Sequence, residues 1–213
     1  MNKSRLMFEH PRIRQTGMAT VKRTTYHHGN LREELIKTTV ALLEERGPSG
    51  FSLREVARRA SVVPAAPAHH FGNVTGLLTA VAVVSFENLL EEFKAISASK
   101  GAPTERLFRL CEAYIQHFCE KPGMASIMFR WDLLNPDAEE LESVRRQTRD
   151  ILRRTVEDAL PDDASENQIE GATVAIWTAT HGLVALRLDD RHDLSGHIAF
   201  YVDAIINGSS THD

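Results

Sequence analysis

Residues 52–71, SLREVARRASVVPAAPAHHF, constrain the fold more than any other stretch of this chain. Ser52 followed three residues later by Glu55 is a capping-box pattern, in which each side chain satisfies a backbone N–H left orphaned at a helix start. Leu53, Val56, Ala57 and Ala60 then recur at i, i+3, i+4 and i+7, so a short helix carries one apolar stripe and turns Arg54, Glu55, Arg58 and Arg59 mostly outward. Ser61, Val62 and Val63 read as a three-residue turn, and Pro64 suits the first position of a second helix ending at Phe71, where a missing N–H costs nothing. Pro67 falls in the first full turn of that helix, where the N–H also has few partners. Two short helices joined by a tight turn leave the second standing proud of its domain, the shape that enters the major groove of DNA.

The run YHHGNLREEL at residues 26–35, the helix over 52–60, the APAHHF run at 66–71 and the following Leu77 and Leu78 resemble the N-terminal domain of the TetR family of transcriptional repressors, over about a quarter of the chain. Trp177, then His181 and Gly182, is similar to the W…HG signature of one branch of that family's C-terminal domain. The resemblance implies an all-α homodimer whose C-terminal domain binds a small-molecule effector that alters affinity for an operator in double-stranded DNA. Carried over by position, it implies DNA contacts at Val63, Pro64, Ala65, Ala68, His69, His70 and Val74, with Ser52 capping the supporting helix near the DNA backbone. Three of these depart from the family pattern: Val63 stands where a small polar cap is common, Ala68 where a phosphate-contacting Tyr is, and Val74 where a Lys opens the next helix. Weaker binding follows, with a salt dependence flattened by about one unit of slope per lost charge. Arg54, Arg58, Arg59 and the N-terminal arm are the candidates to compensate. Ala65 and Ala68 can touch a thymine methyl and His69 can make one hydrogen bond, but no Arg stands ready for a guanine.

Charge is distributed in the same sense. The net charge is −4, yet residues 1–80 hold 12 Lys or Arg against 6 Asp or Glu, and the remainder holds 13 against 23. A basic head on an acidic body is the footprint of DNA binding confined to one end. The expected division is a basic, disordered arm over 1–24, a helix-turn-helix head over 25–72 and a ligand-binding and dimerisation body over 73–213. The arm can order along phosphates, or it is an unused leader with Met18 as an alternative start. Two cysteines, Cys111 and Cys119, fit a reducing cytoplasm, and no apolar leader is visible. The longest uncharged run, residues 171–186, contains three Thr and a His and is too short for a membrane span, so no membrane partner is expected.

Asn30 with Glu33 repeats the capping-box pattern, predicting a helix that starts there, just after His27 and His28, and ends near Gly47. Asn73 can cap a long helix running from head to body through Leu77, Val81, Leu89, Phe93 and Ile96. Thr104 begins a further helix, Lys121 to Gly123 break it, and a short apolar piece covers 124–134. Asn135 and Pro136 are read as opening an amphipathic helix with Leu141, Val144, Thr148, Ile151 and Thr155 on one face. The last two helices, 166–188 and 194–206, carry more uncharged surface than one chain can cover, which predicts a homodimer through a four-helix interface. No strand pattern, repeat or Gly-rich phosphate loop appears, so the fold class is all-α.

Trp177 and His181, four apart, share a helix face. Together with Cys111, His117, Phe118, Met128, Phe129 and Trp131 they could line an apolar ligand pocket; such a stripe is more often ordinary core, and it is His181 that lifts the pocket reading. His181 needs a partner, for which a ligand, a backbone carbonyl or a Thr are candidates. No nucleophile elbow or His-x-x-x-His pair is present, and His192 and His197 beside Asp189, Asp190 and Asp193 resemble a solvated loop; no enzyme activity, cofactor or metal is expected. Two function classes remain: a ligand-responsive dimeric repressor, or a helical dimer with degenerate DNA recognition serving as a small-molecule-binding or interaction module.

Overall fold

One long helix, Val74–Ser97, is the spine on which the other helices are hung. The computed structural model describes residues 28–128, 130–186 and 194–208, and among these every regular element is helical. In chain order they are α1 (His28–Arg46), α2 (Leu53–Arg59), α3 (Ala66–Phe71), α4 (Val74–Ser97), α5 (Pro103–Cys119), α6 (Pro122–Met128), α7 (Glu139–Ala159), α8 (Glu166–Ala185) and α9 (Leu194–Gly208), with 3-10 turns at Pro48–Gly50 and Trp131–Leu133. The fold is all-α, as its periodicity predicts. The N-terminal arm, His27, Phe129 and the end of the 166–188 stretch lie outside the described residues.

Asn73 caps α4 as expected, its Oδ1 accepting from the Gly76 N–H at 2.8 Å. The helix packs against α1 and α3 near its start and against α5, α6 and α7 beyond, and it buries Leu77, Leu78, Val81, Phe86, Leu89 and Phe93 almost completely. By length and composition it is the one described helix that could cross a membrane, but most of its apolar window is packed inside the protein. Thr39, Thr148, Thr155, Thr173 and Thr180, all buried, each donate to the carbonyl four residues back at 2.7–2.9 Å. The uncharged run of helix α8 after Glu170 therefore buries the hydroxyls of Thr173 and Thr180 without leaving them unpaired.

Several boundaries differ from the sequence expectation. Helix α1 begins at His28, so Asn30 lies within its first turn and is not the cap. Helix α7 begins at Glu139 and not at Asn135, because Asn135 closes a turn: its Oδ1 accepts from Asp137 N–H and its carbonyl from Ala138 N–H. Pro122 starts α6 instead of only ending α5, since a first-turn position needs no N–H. Helix α8 opens on a complete capping box, Ser165 Oγ accepting from Gln168 N–H while Gln168 Oε1 accepts from Ser165 N–H.

Head and body are tied at one further point. The Glu44 carboxylate of α1 accepts from the first-turn N–H groups of Gly123 (2.9 Å) and Met124 (3.0 Å) in α6. Gly123 permits the approach: a Cβ there would lie 2.4–2.6 Å from backbone atoms of Leu43 and Glu44.

Candidate nucleic-acid interface and effector cavity

At the foot of α2 the Ser52 Oγ accepts from Glu55 N–H at 3.3 Å, so half of the expected capping box is present. The Glu55 carboxylate does not return to Ser52; it takes Arg58 Nε and Nη2 at 2.8 Å and Arg59 Nε at 3.3 Å. Hydrogen bonding from Arg58 leads the causes that hold its pKa down to about 2. Arg59 reaches across to Glu45 of α1 with both terminal nitrogens, at 2.5 and 2.6 Å. Arg58, 68 % exposed, and Arg59, 24 %, are thus paired with carboxylates of the head itself, with which a phosphate would have to compete. Arg54 is exposed and makes no ion pair among the described residues.

The turn is a Schellman motif: Ser61 N–H bonds Arg58 C=O and Val62 N–H bonds Ala57 C=O, with Ser61 at φ 55° where glycine is usual. Ala66 N–H then bonds Val63 C=O, which places Pro64 within this second turn and starts α3 at Ala66. Pro64 therefore precedes the helix, and it is the buried Pro67 that takes a first-turn position. Val63 (68 % exposed), Pro64, Ala65, Ala68, His69 and Val74 (39 %) all meet solvent, as does Ser52. His70 does not join them. It is half-buried and lines a groove with Arg32, Phe71, Thr79, Asn135 and Glu139, between the head and the start of α7, because its place on α3 faces α4 and not the outer side.

In the body, Phe93 of α4, Leu110, Cys111 and Tyr114 of α5, Leu152 of α7 and Trp177 and Thr180 of α8 enclose a small cavity. Its free volume is about 10 Å³, room for one water-sized sphere. Tyr114 Oη lies 2.6 Å from His181 Nδ1, and Thr180 Oγ1 lies 2.8 Å from the Tyr201 hydroxyl. Burial pushes the Tyr114, Tyr201 and Cys111 pKa values up and, with the nearby Arg145 charge, holds that of His181 below its ordinary 6.5. At neutral pH a neutral phenol and an uncharged imidazole therefore share this hydrogen bond, the imidazole tautomer setting which of them donates. Trp177 stacks on His181 at 6.3 Å and 18° and also forms one wall of an open groove of about 480 Å³ between α7 and α8, where Arg145, Arg146, Arg149 and Arg153 face Glu142, Asp150 and Glu170.

Of the residues expected at a ligand site, Cys111 and Trp177 line this cavity and His181 stands behind it, partnered by Tyr114 and not by a Thr or a carbonyl at Nδ1. Phe129 lies outside the described residues, and the rest are placed elsewhere. His117 Nε2 is 2.9 Å from Ser85 Oγ on α4; Phe118 is packed between Phe86 and Tyr114; Met128 is buried in α6. Trp131 is half-exposed beneath the Arg145 guanidinium, 4.1 Å away, since the 3-10 turn that carries it lies at the surface. Tyr114 and Thr180 were not anticipated, although each lies three residues from an expected one, Cys111 and Trp177, on the same helix. Among the described residues no three His, Cys, Asp or Glu side chains converge as a metal site.

The sequence matches two families: residues 35–81 match bacterial regulatory proteins of the tetR family, and residues 107–207 match the tetracyclin repressor-like C-terminal domain. No curated protein matches the chain. Solved structures share its fold. A protein of unknown function from Rhodococcus sp. RHA1 is 24% identical with a TM-score of 0.74, covering 87% of this chain and 98% of that one. The TetR family transcriptional regulator PfmR from Thermus thermophilus is 19% identical with a TM-score of 0.61, covering 81% and 97%. The transcriptional regulator FadR from Bacillus subtilis, in complex with stearoyl-CoA, is 15% identical with a TM-score of 0.66, covering 84% and 99%. With a helix-turn-helix at one end of α4, a helical body at the other, and a family match over each, this chain belongs to the TetR family of transcriptional regulators.

Proposed function

We propose that the chain is a ligand-responsive repressor that binds operator DNA as a homodimer, in the cytoplasm, and is released by a small-molecule effector. The observation that carries this reading is the placement of two features on α4: an outward face of α3 at its start, and a small cavity with neutral polar edges against Phe93 further along. The head over 25–72 would meet DNA through Ser52, Arg54, Val63, Pro64, Ala65, Ala68 and His69, joined by Val74 at the start of α4, and the body over 73–213 would hold effector and partner. Two copies of α3 in a dimer must match successive major grooves about 34 Å apart. An effector too large for about 10 Å³ must part Trp177 from α5, and so displace α4. The wall chemistry suits an apolar body with one or two neutral hydrogen-bonding groups, and the stearoyl-CoA held by FadR is consistent with a hydrophobic effector.

Dimerisation is supported by the outer faces of α8 and α9, where Val174, Leu186 and Phe200 are exposed and a Cβ at Gly171 or Gly182 would meet nothing within 4 Å. A mobility-shift assay with the DNA upstream of the chain's own gene tests the reading. A discrete complex that resists nonspecific competitor and dissolves on adding long-chain acyl compounds is the expected result. Absence of any such complex at micromolar protein overturns it in favour of the second reading, a helical dimer with degenerate DNA recognition that acts as a binding module. The internal pairing of Arg58 and Arg59 favours that second reading.

A further inference from the structure

We infer that the operator is recognised chiefly through the C5-methyl groups of thymine, an inference that rests on the DNA-binding reading above. Reading guanine calls for an Arg or Lys fork on O6 and N7, and reading adenine for an Asn or Gln presenting donor and acceptor side by side. Neither is offered by α3 and the turns that flank it, and Arg54, among the described residues the exposed and unpaired cation nearest to them, sits in the first turn of the supporting helix α2. Residues 61–74 contain no Arg or Lys, and the two basic residues that close α2, Arg58 and Arg59, are held by Glu55 and Glu45. Asn73 is exposed, but its Oδ1 accepts from Gly76 N–H as the cap of α4, so the bidentate edge that adenine needs is not presented. The surface that remains is carbon: Val63, Pro64, Ala65, Ala68 and Val74, with His69 as the one exposed ring nitrogen among them. Set against a G·C edge, such a surface would strip water from N7, O6 and N4 without replacing their hydrogen bonds; an A·T edge loses as much at N7, N6 and O4, but its thymine methyl partly offsets the loss with apolar contact. Discrimination would thus come from a group that separates thymine from cytosine and from uracil alike.

The full-length protein is used to select duplexes from a random pool, and the selected operator is then resynthesised with uracil for thymine, in the half-sites or outside them. Half-sites containing short A·T blocks are expected. Each contacted thymine replaced by uracil should weaken binding about fourfold, the worth of one buried methyl, while replacement outside the half-sites should leave binding unchanged. Val63→Ser, at a surface position that does not threaten folding, should shrink the thymine-to-uracil ratio at one position only. A selected operator whose uracil form binds within twofold of its thymine form overturns methyl recognition and leaves repression standing. So does a G-rich half-site that loses affinity when 7-deazaguanine removes N7. Failure to select any duplex overturns both.

Discussion

The Tyr114–His181 pair shows how a buried polar contact ties the body's stability to pH. His181 and His117 both have pKa values held below 6.5, in each case first by burial and then by a nearby cation, Arg145 for the one and Lys121 for the other. The unfolded chain takes up these protons near pH 6.5 and the folded chain resists them, so the stability they support is present above that pH and is lost as pH falls below it. Thermal denaturation should give a melting temperature level from pH 8 to 7 and falling toward pH 5, with a shallower fall in a His117→Gln, His181→Gln variant. Tyr114→Phe leaves His181 Nδ1 without its partner at 2.6 Å and is expected to lower stability by about 1–3 kcal/mol, read by denaturant titration. Ser61 offers the opposite case. Its left-handed backbone is one that glycine adopts freely, and Ser61→Gly should raise stability by up to about 1 kcal/mol. A melting temperature unchanged or lowered would show that the turn is relaxed by its neighbours.

At the scale of the helix, what the sequence disclosed follows from how local each signal is. Asn73 and Gly76 cap α4 through residues three apart, and the alternation of buried positions in α7 is visible from Leu141 to Thr155. Residues Ser165 and Gln168 carried an equally plain signal at the start of α8. Asn135 was ambiguous because the same side chain that caps helices also closes turns, and only the Ala138 bond decides between them. The cavity was less legible still: Trp177 and Cys111 mark it, but whether His117 or Tyr114 shares its wall depends on how α5 is rotated against α4 and α8, which spacing within one helix does not determine. The same holds for the clasp between Glu44 and α6, whose partners are about eighty residues apart. Gly123→Ala would force a Cβ against the backbone of α1 and should cost at least about 1–3 kcal/mol, whereas Glu44→Gln keeps one acceptor oxygen and should cost less. If α6 is the element through which the body moves the head, Glu44→Gln should also leave effector affinity intact while reducing the effector's power to release DNA, as measured by titrating effector against a preformed complex.

For the molecule as a whole, the proposed dimer rests on the uncovered surface of α8 and α9. Phe200 is 77% exposed and Leu186 is 70% exposed on the two helices expected to meet a second copy. In a two-fold interface each such residue acts twice, so Phe200→Glu should weaken association by at least about tenfold and shift sedimentation at micromolar concentration from dimer to monomer, with the helical content retained. An unshifted dimer would place the interface elsewhere. The surface pairs that brace α7 to α8, Arg149 with Glu170 and Arg153 with Glu166, are exposed and contribute little to this balance.

The chain's two indoles sit in contrasting surroundings: Trp131 lies half in solvent under a guanidinium, and Trp177 is pressed between a phenol and a neutral imidazole at the cavity wall. That contrast is a built-in optical reporter. Iodide should quench the emission of the first more strongly than that of the second, so an occupant of the body would announce itself chiefly as a change in the less quenched fraction, without any attached dye.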